Sequence, residues 1–331
     1  MSNGKMLSNF EVDILLSTYN GEKFLGELLD SLLCQTCQNW RLVVRDDGSK
    51  DNTLSIIKDY IKKYGQDKIV LVSDGLGNCG PKESFGQLME YSHAPYVMFC
   101  DQDDVWLHDK IELSFQQILA MENRSGKGKP MLVSTNCSLV DQDLNLIAVD
   151  AWKHLGFDPE IAGRFHNLAL RNFIVGHTIM MNHALLTLAN PVPQQAVMHD
   201  WWVGLAAAAF GEIGYVMKPT VLYRQHSQNF FGLKRIPVWK AIFNLPLFYK
   251  KYVQHQMEAL SQINAFYERF DILLQTEEGN PVAVKDLKDV SLLVSLDQMR
   301  LKEKIFFLWQ FYKTFPYREK AYVDFFWYLI H

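Results

Sequence analysis

An α/β fold with a mainly parallel sheet is predicted by three observations on the first 232 residues. Short apolar runs bounded by turn residues alternate with segments of helical period, the pattern of successive β-α units. The turn residues that follow several of these runs are strongly polar. The chain is also large enough to bury a full core: its 331 residues, 48% hydrophobic and 21% charged, suit one large domain with an appendage or two domains.

Taken in order, Val12–Ser17, Arg41–Val44, Ile69–Val72 and Tyr96–Cys100 read as buried strands. Between them helices are expected at about Lys23–Gln35, Thr53–Tyr64 and Lys82–Tyr91, with Asp51 or Asn52 capping the second and Pro81 opening the third. Another helix follows at Lys110–Met121, then an exposed Gly/Lys/Ser-rich loop at Asn123–Pro130. Met131–Val149 reads as a hairpin. Phe173–Met181, Ile213–Met217 and Thr220–Tyr223 are further strand candidates, with a helix at His199–Phe210. There is no internal repeat or low-complexity block.

From about Leu233 strands give way to long segments of helical period that run to His331. Leu233–Gln256 has five basic residues (Lys234, Arg235, Lys240, Lys250 and Lys251), no acidic one, and interleaved aromatics including Trp239 and Phe243. Two interpretations stay open: a helix on an anionic membrane surface, or a helix packed on the first domain with a solvated basic face.

Charge and composition narrow the function classes. Residues 1–232 carry 19 Lys and Arg against 26 Asp and Glu, whereas residues 233–331 carry 14 against 11. The acidic portion does not suit a duplex-binding surface, so no nucleic-acid partner is expected. Five cysteines give no disulfide framework, and the lone Cys34/Cys37 pair falls at a helix end. Met1–Phe10 lacks the apolar core of a signal peptide, and no run of about 18 apolar residues occurs. A cytoplasmic protein is expected, with membrane contact at the surface.

Ligands of an open parallel sheet bind at the carboxyl ends of the strands. The first strand leads into Ser17-Thr18-Tyr19-Asn20-Gly21, a polar turn whose ring can stack on a base. The second leads into Asp46-Asp47-Gly48-Ser49, where a carboxylate can accept the imide N–H of uracil or thymine. The third ends in Asp74 to Lys82, and the fourth in Asp101-Gln102-Asp103-Asp104. Three carboxylates within four residues repel one another unless a cation sits among them. Oxygen ligands suit Mn²⁺ or Mg²⁺, which hold diphosphates and neutralise their charge as they depart. The alternative is an acidic turn that merely caps the next helix.

In order along the chain, Val12–Gly21, Asp46–Ser49 and Asp101–Asp104 resemble the family 2 glycosyltransferases. More narrowly, they are similar to the bacterial rhamnosyltransferase-like members that build cell-surface polysaccharides. The resemblance covers about Glu11 to Gln228. It implies a GT-A fold, a Rossmann-like mixed sheet of nucleotide-diphospho-sugar transferases, over residues 1–232, with a helical extension over 233–331.

Carried over residue by residue, the resemblance implies that Thr18, Tyr19 and Asn20 line the nucleotide pocket and that Asp47 binds the base beside Asp46. Asn78, Gly80 and Lys82 match the loop before the third helix, where Lys82 can neutralise a phosphate. Asp101 holds ribose or completes the metal's coordination, Asp103 is the first choice for the metal, and Asp104 and His226 join it. His226 lies in Tyr223-Arg224-Gln225-His226, which resembles the segment after the last core strand. Gly176, His177 and Trp201 are assigned to the acceptor side. Asp200, in His199-Asp200-Trp201-Trp202, is the candidate general base, although His199 replaces the family's usual acidic residue. Beside two tryptophans its carboxylate is expected to lose hydration and become a stronger base.

The implied reaction is direct displacement with inversion. It moves a sugar, L-rhamnose first, from a nucleotide diphosphate donor to a hydroxyl of a saccharide that is itself lipid-linked.

Three rivals are weighed. Gly75-Leu76-Gly77-Asn78-Cys79-Gly80 fits the G-x-G-x-x-G of NAD(P) oxidoreductases, yet Pro81 places all three glycines before the helix. Val97–Val105 fits a dehalogenase-type phosphatase motif, but three strands precede it. A non-catalytic relative that binds sugar nucleotides is the third.

Overall fold

The computed structural model describes residues 11–156, 158–226 and 245–274, and the side chains of the last segment from Gln254. Its strands are β1 Val12–Thr18, β2 Trp40–Asp46, β3 Ile69–Val72, β4 Tyr96–Asp101, β5 Val105–Trp106, β6 Met131–Asp141, β7 Leu146–Ala148, β8 Ile179–Asn182 and β9 Glu212–Gln225. Helices are α1 Leu25–Leu33, α2 Thr53–Tyr64, α3 Pro81–Tyr91, α4 Lys110–Ser125, α5 Ala151–Leu155, α6 Pro159–Ala162, α7 Phe165–Leu170, α8 His183–Ala189, α9 His199–Phe210 and α10 Leu245–Leu274.

All nine strands form one sheet in the order β3-β2-β1-β4-β8-β6-β9-β5, with β7 paired to β6. β3, β2, β1 and β4 are parallel, β8 runs antiparallel to both neighbours, and β9 is again parallel to β6. Side chains alternate across the central strands, and both faces are dry. Leu15, Val43, Val97 and Phe99 face one core with Phe85 and Leu88 of α3 and most of α9. Ile14, Leu16, Val44, Met98 and Cys100 face the other with Leu25, Leu28 and Leu32 of α1 and Ile111 and Ile118 of α4. A sheet covered on both faces explains the unbroken apolar runs of these strands.

α9 is buried along eleven of its twelve residues, and so it carries almost no amphipathic signal. α10 closes that face, with Ala259, Ile263, Phe266 and Phe270 in the core. Its Arg269 donates to the carbonyls of Leu188, Asn190 and Pro191.

The structure revises two local expectations and divides a third between its two alternatives. Phe173–Met181 is not one strand: Gly176–Thr178 makes a single 3₁₀ turn, and only Ile179–Asn182 pairs. The N–H of Gly176 is engaged by the Asp200 carboxylate and that of Thr178 by the Val175 carbonyl, so neither is free for a ladder. Ile213–Met217 and Thr220–Tyr223 belong to one strand, β9, whose pairing with β6 is irregular where Pro219, lacking an N–H, faces Asn136. Asn52 takes the cap position of α2, but the carboxylate that accepts the Thr53 N–H is that of Asp51. Pro81 does open α3, and Cys34 ends α1 with a free thiol. The boundary expected at Leu233 and most of the basic aromatic segment lie outside the described residues.

Candidate active site

Three parallel strands end side by side, which places their turns in one row. Ser17 of β1 is level with Asp101 of β4, and Thr18 is level with Asp46 of β2. The turn after β1 is braced from both sides. Gln102 accepts the Tyr19 N–H at 2.9 Å and donates to the Tyr19 carbonyl at 2.9 Å. Ser49 Oγ accepts the Asn20 N–H, the Asn20 side chain accepts the Lys50 N–H, and the Thr18 hydroxyl donates to Asp46. Asn20 is held at φ 49°, a strained value for a residue with a side chain. Gly21 is required for a different reason: a Cβ there would lie 2.3 Å from Gln102 Oε1. Within this braced turn the Tyr19 ring stays 45% exposed, free to stack on a flat ligand.

Asp47 is buried beneath the loop that leads into α3. Its carboxylate accepts the N–H groups of Cys79 at 2.9 Å and Gly80 at 2.8 Å, the Cys79 thiol at 3.2 Å and Arg45 Nη1 at 2.5 Å. Arg45, 1% exposed, also grips Asp74 at 2.6 Å and donates to the Gly77 carbonyl and the Ser84 hydroxyl. Burial pushes the Asp47 carboxyl up, but these donors outweigh it and hold it below the ordinary range. Asn78 ties the same loop to the Asp47 carbonyl, and Gly80 needs its φ of 84° to start α3. Lys82 donates to the Gln194 carbonyl at 2.6 Å and lies 3.4 Å from Glu83. Asp47 thus shapes the pocket wall from within. The role of Arg45, hidden inside a strand, has no motif to announce it.

The acidic turn divides into an outer and an inner part. Asp103 lies 2.7 Å from His226 Nε2, with the two side chains 17% and 9% exposed. Asp101 is the most open of the three aspartates, its side chain 38% exposed. Asp104 is fully buried: one oxygen accepts the Arg224 N–H, and the other faces His177 Nδ1 at 3.4 Å. His177 Nδ1 is also 3.3 Å from Asp101. Arg224, missed as a site residue in the sequence, donates to the carbonyls of Asp103 and Gln142 and pairs with Glu27. Burial, then the charge of Asp101, pushes Asp103 above the ordinary carboxylate range despite His226. Burial, then its neighbours' charges, pushes Asp104 well above it.

These donors fit a hard divalent cation. Ligand atoms of Asp101, Asp104 and His177 lie within 4.8 Å of one another, and one oxygen of Asp104 is buried without a hydrogen-bond partner. Carboxylates with an imidazole suit Mn²⁺ or Mg²⁺.

Asp200 sits in the first turn of α9 and is 7% exposed. It accepts the Gly176 N–H at 2.8 Å, the Asn172 amide at 3.1 Å and the Trp201 N–H at 2.7 Å. Burial pushes its carboxyl up to about 7, against those hydrogen bonds, and the charge of Asp101 adds to the rise. Gly176 and His177 therefore join two functional groups: one holds Asp200 and the next contacts Asp101. His199 is buried, stacked on Phe85 at 4.0 Å, and burial lowers its pKa to about 3. The structure does not bring Trp201 to the site surface. Its indole donates to the Leu168 carbonyl and stacks near His255. His177 is likewise fully buried.

The sheet order, with this row of polar strand ends, is that of the GT-A fold. A mannosyltransferase from Pyrobaculum calidifontis, solved with GDP-mannose and Mn²⁺, shares that fold with a TM-score of 0.50 and 15% identity over 96% of this chain and 84% of its own. Residues 13–124 match the Glycosyl transferase family 2 profile. Over 225 residues the chain is 27% identical to the dTDP-rhamnosyl transferase RfbG of Shigella flexneri, covering 66% of this chain and 73% of that one. Over 113 residues it is 27% identical to WfgD of Escherichia coli, a UDP-Glc:α-D-GlcNAc-diphosphoundecaprenol β-1,3-glucosyltransferase, covering 34% of this chain and 43% of that one. The matched profile and these relatives support a bacterial family 2 glycosyltransferase. Among the described residues no helix is long and apolar enough to cross a membrane.

Proposed function

We propose that this glycosyltransferase moves L-rhamnose, with inversion, from dTDP-rhamnose to a hydroxyl of a lipid-linked saccharide in cell-surface polysaccharide synthesis. The observation that carries the mechanism is the Gly176–His177 link. Through it, a carboxylate raised to about 7 stands beside an acidic turn that opens toward the nucleotide loops. Similarity to RfbG supports the donor, and the lipid-linked acceptor in the WfgD name supports the acceptor class.

Tyr19 stacks on the base, while the wall that Asp47 and Arg45 build receives its edge. Asp103 and His226, with Asp101, would hold a divalent cation. Once bound, the cation neutralises the charge of a departing diphosphate. Asp200 takes the proton of the acceptor hydroxyl, the freed oxygen bonds to the anomeric carbon, and the bond to the diphosphate breaks on the opposite side. The nucleoside diphosphate leaves carrying that electron pair. Residues 1–232 form the catalytic unit of this proposal. The basic aromatic segment near Leu233–Gln256 supplies contact with the inner membrane surface where lipid-linked acceptors sit.

Incubation with dTDP-rhamnose, UDP-glucose, UDP-GlcNAc and GDP-mannose in Mn²⁺ tests the donor. Release of dTDP in excess of UDP and GDP is expected. Turnover of the UDP sugars alone would remove rhamnose, and a product of retained anomeric configuration would remove the displacement mechanism.

A further inference from the structure

We propose that His177 is a positioning residue whose Nδ1–H bonds Asp101, fixing the donor-facing carboxylate relative to the base Asp200. The proposal rests on the transferase mechanism above and names a contact outside it.

His177 is fully buried, and its Nδ1 lies 3.3 Å from Asp101 Oδ2 and 3.4 Å from Asp104 Oδ2. Its Nε2 is buried with no partner. A proton on Nε2 would leave a donor unmet in the interior, whereas a proton on Nδ1 meets the Asp101 carboxylate, so the geometry selects the Nδ1–H tautomer. The other oxygen of Asp104 is engaged by the Arg224 N–H of β9. Asp104 is thereby tied to β9, and Asp101 is held by the 3₁₀ turn.

The Gly176 N–H bonds Asp200 at 2.8 Å one residue earlier. Two adjacent residues in one short turn therefore set the spacing between the base and the acidic turn. Displacements of about 1 Å in such a spacing cost on the order of 100-fold in rate.

A positioning role is separable from that of a metal ligand by experiment. Mg²⁺ and Mn²⁺ keep several waters and must reach the diphosphate. His177 and Asp104 have side chains 0% exposed, while Asp101, Asp103 and His226 line the open side. The sequence pattern had put His177 on the acceptor side. Its contact with Asp104 spans 73 positions in the chain, and no local spacing reveals it.

Asparagine and glutamine at position 177 separate the two ring nitrogens, because the asparagine amide reaches the place of Nδ1 and the glutamine amide that of Nε2. His177→Asn is expected to keep kcat within about 10-fold of wild type. His177→Gln and His177→Ala are expected to lose about 100-fold in kcat, with donor KM within about 3-fold. Mn²⁺ affinity, followed by EPR on each purified protein, is expected to stay within about 3-fold of wild type. Nitrogen-15 spectra of histidine-labelled protein are expected to show one buried ring protonated on Nδ1 that disappears in His177→Asn.

Equal activity of the Asn and Gln variants overturns the proposal. So does an Nε2-protonated ring, or loss of imidazole coupling to bound Mn²⁺ in both variants. If Ala does not fold, the Asn and Gln pair still decides. A wild type that turns over no donor defeats the transferase mechanism instead, while the tautomer measurement still tests His177.

Discussion

Asp47, Asp51 and Asp74 on the nucleotide side and Asp103, Asp104 and Asp200 on the transfer side are the same side chain in opposite electrostatic states. The first three are held below the ordinary carboxylate range. For Asp74 the largest cause is its hydrogen bond from Arg45; for Asp47 and Asp51, burial is outweighed by the N–H and side-chain donors around them. The second three are held above it by burial, reinforced by the charge of Asp101 on all three and of Asp103 on Asp104. The nucleotide side is thus complete without its ligand. The transfer side carries unrelieved charge that a cation, an acceptor proton or a substrate must settle.

The largest effect expected from breaking this contrast is at Asp200. Asp200→Asn leaves no base, and kcat should fall about 1000-fold with donor KM little changed. In wild type the working form is the carboxylate. The rate should therefore climb about tenfold per pH unit below 7 and level off above it, as read from kcat/KM against pH. Stability runs the other way. A carboxyl whose folded pKa is raised contributes stability that is present below its unfolded value near 4 and lost as pH rises through about 7. Asp200→Asn should therefore melt higher than wild type at pH 8 and alike at pH 4. A variant less stable than wild type at pH 8 would mean that Asp200 is structural rather than a base kept at a cost to stability.

Next comes Arg45, the cation that settles the nucleotide side. Arg45→Met leaves Asp47 and Asp74 without their guanidinium inside the protein, a change worth about 3 kcal/mol. Urea unfolding at pH 7.5 measures it. Because both partners are held below the ordinary range, the stability they contribute is present above about pH 4 and lost in acid. The gap between wild type and variant should therefore narrow as pH falls toward 3. An undiminished gap in acid would make the loss one of packing, and the electrostatic contrast would not hold on that side.

The two sides also differed in how much the sequence disclosed. Strand ends that carry Asp47, Asp101 and Asp103 were legible because an apolar run followed by a polar turn is a local signal. The helix that Asp200 opens was legible from its apolar run, while the role given to Asp200 came from the family resemblance. The roles of Arg45, Arg224 and His177 were not, since they depend on contacts across 29 to 120 positions and on partners that only the sheet order brings near. Gln102 was quoted as the unremarked middle of the acidic motif, yet it pins both polar atoms of the Tyr19 backbone. Helices α5, α6 and α7 are four to six residues long, too short to show a period, and so went unread.

The smallest effect tests whether the transfer side is strained for want of a cation. Without metal, Asp103→Asn removes a charge that burial and Asp101 disfavour, so the variant should melt above wild type at pH 8, by about 2–4 °C for a gain near 1 kcal/mol. Like Asp200, Asp103 has a raised folded pKa, so this advantage should shrink as pH falls toward 4. Adding Mn²⁺ should reverse the order, because it neutralises the wild-type cluster and finds one ligand fewer in the variant. Thermal scans of both proteins with and without Mn²⁺ at pH 8 give the four values needed. If Mn²⁺ raised both melting temperatures equally, Asp103 would not be a ligand. The outer pair with His226 at 2.7 Å would then be a hydrogen bond that supports the turn, and the cation would have to sit elsewhere on the acidic row.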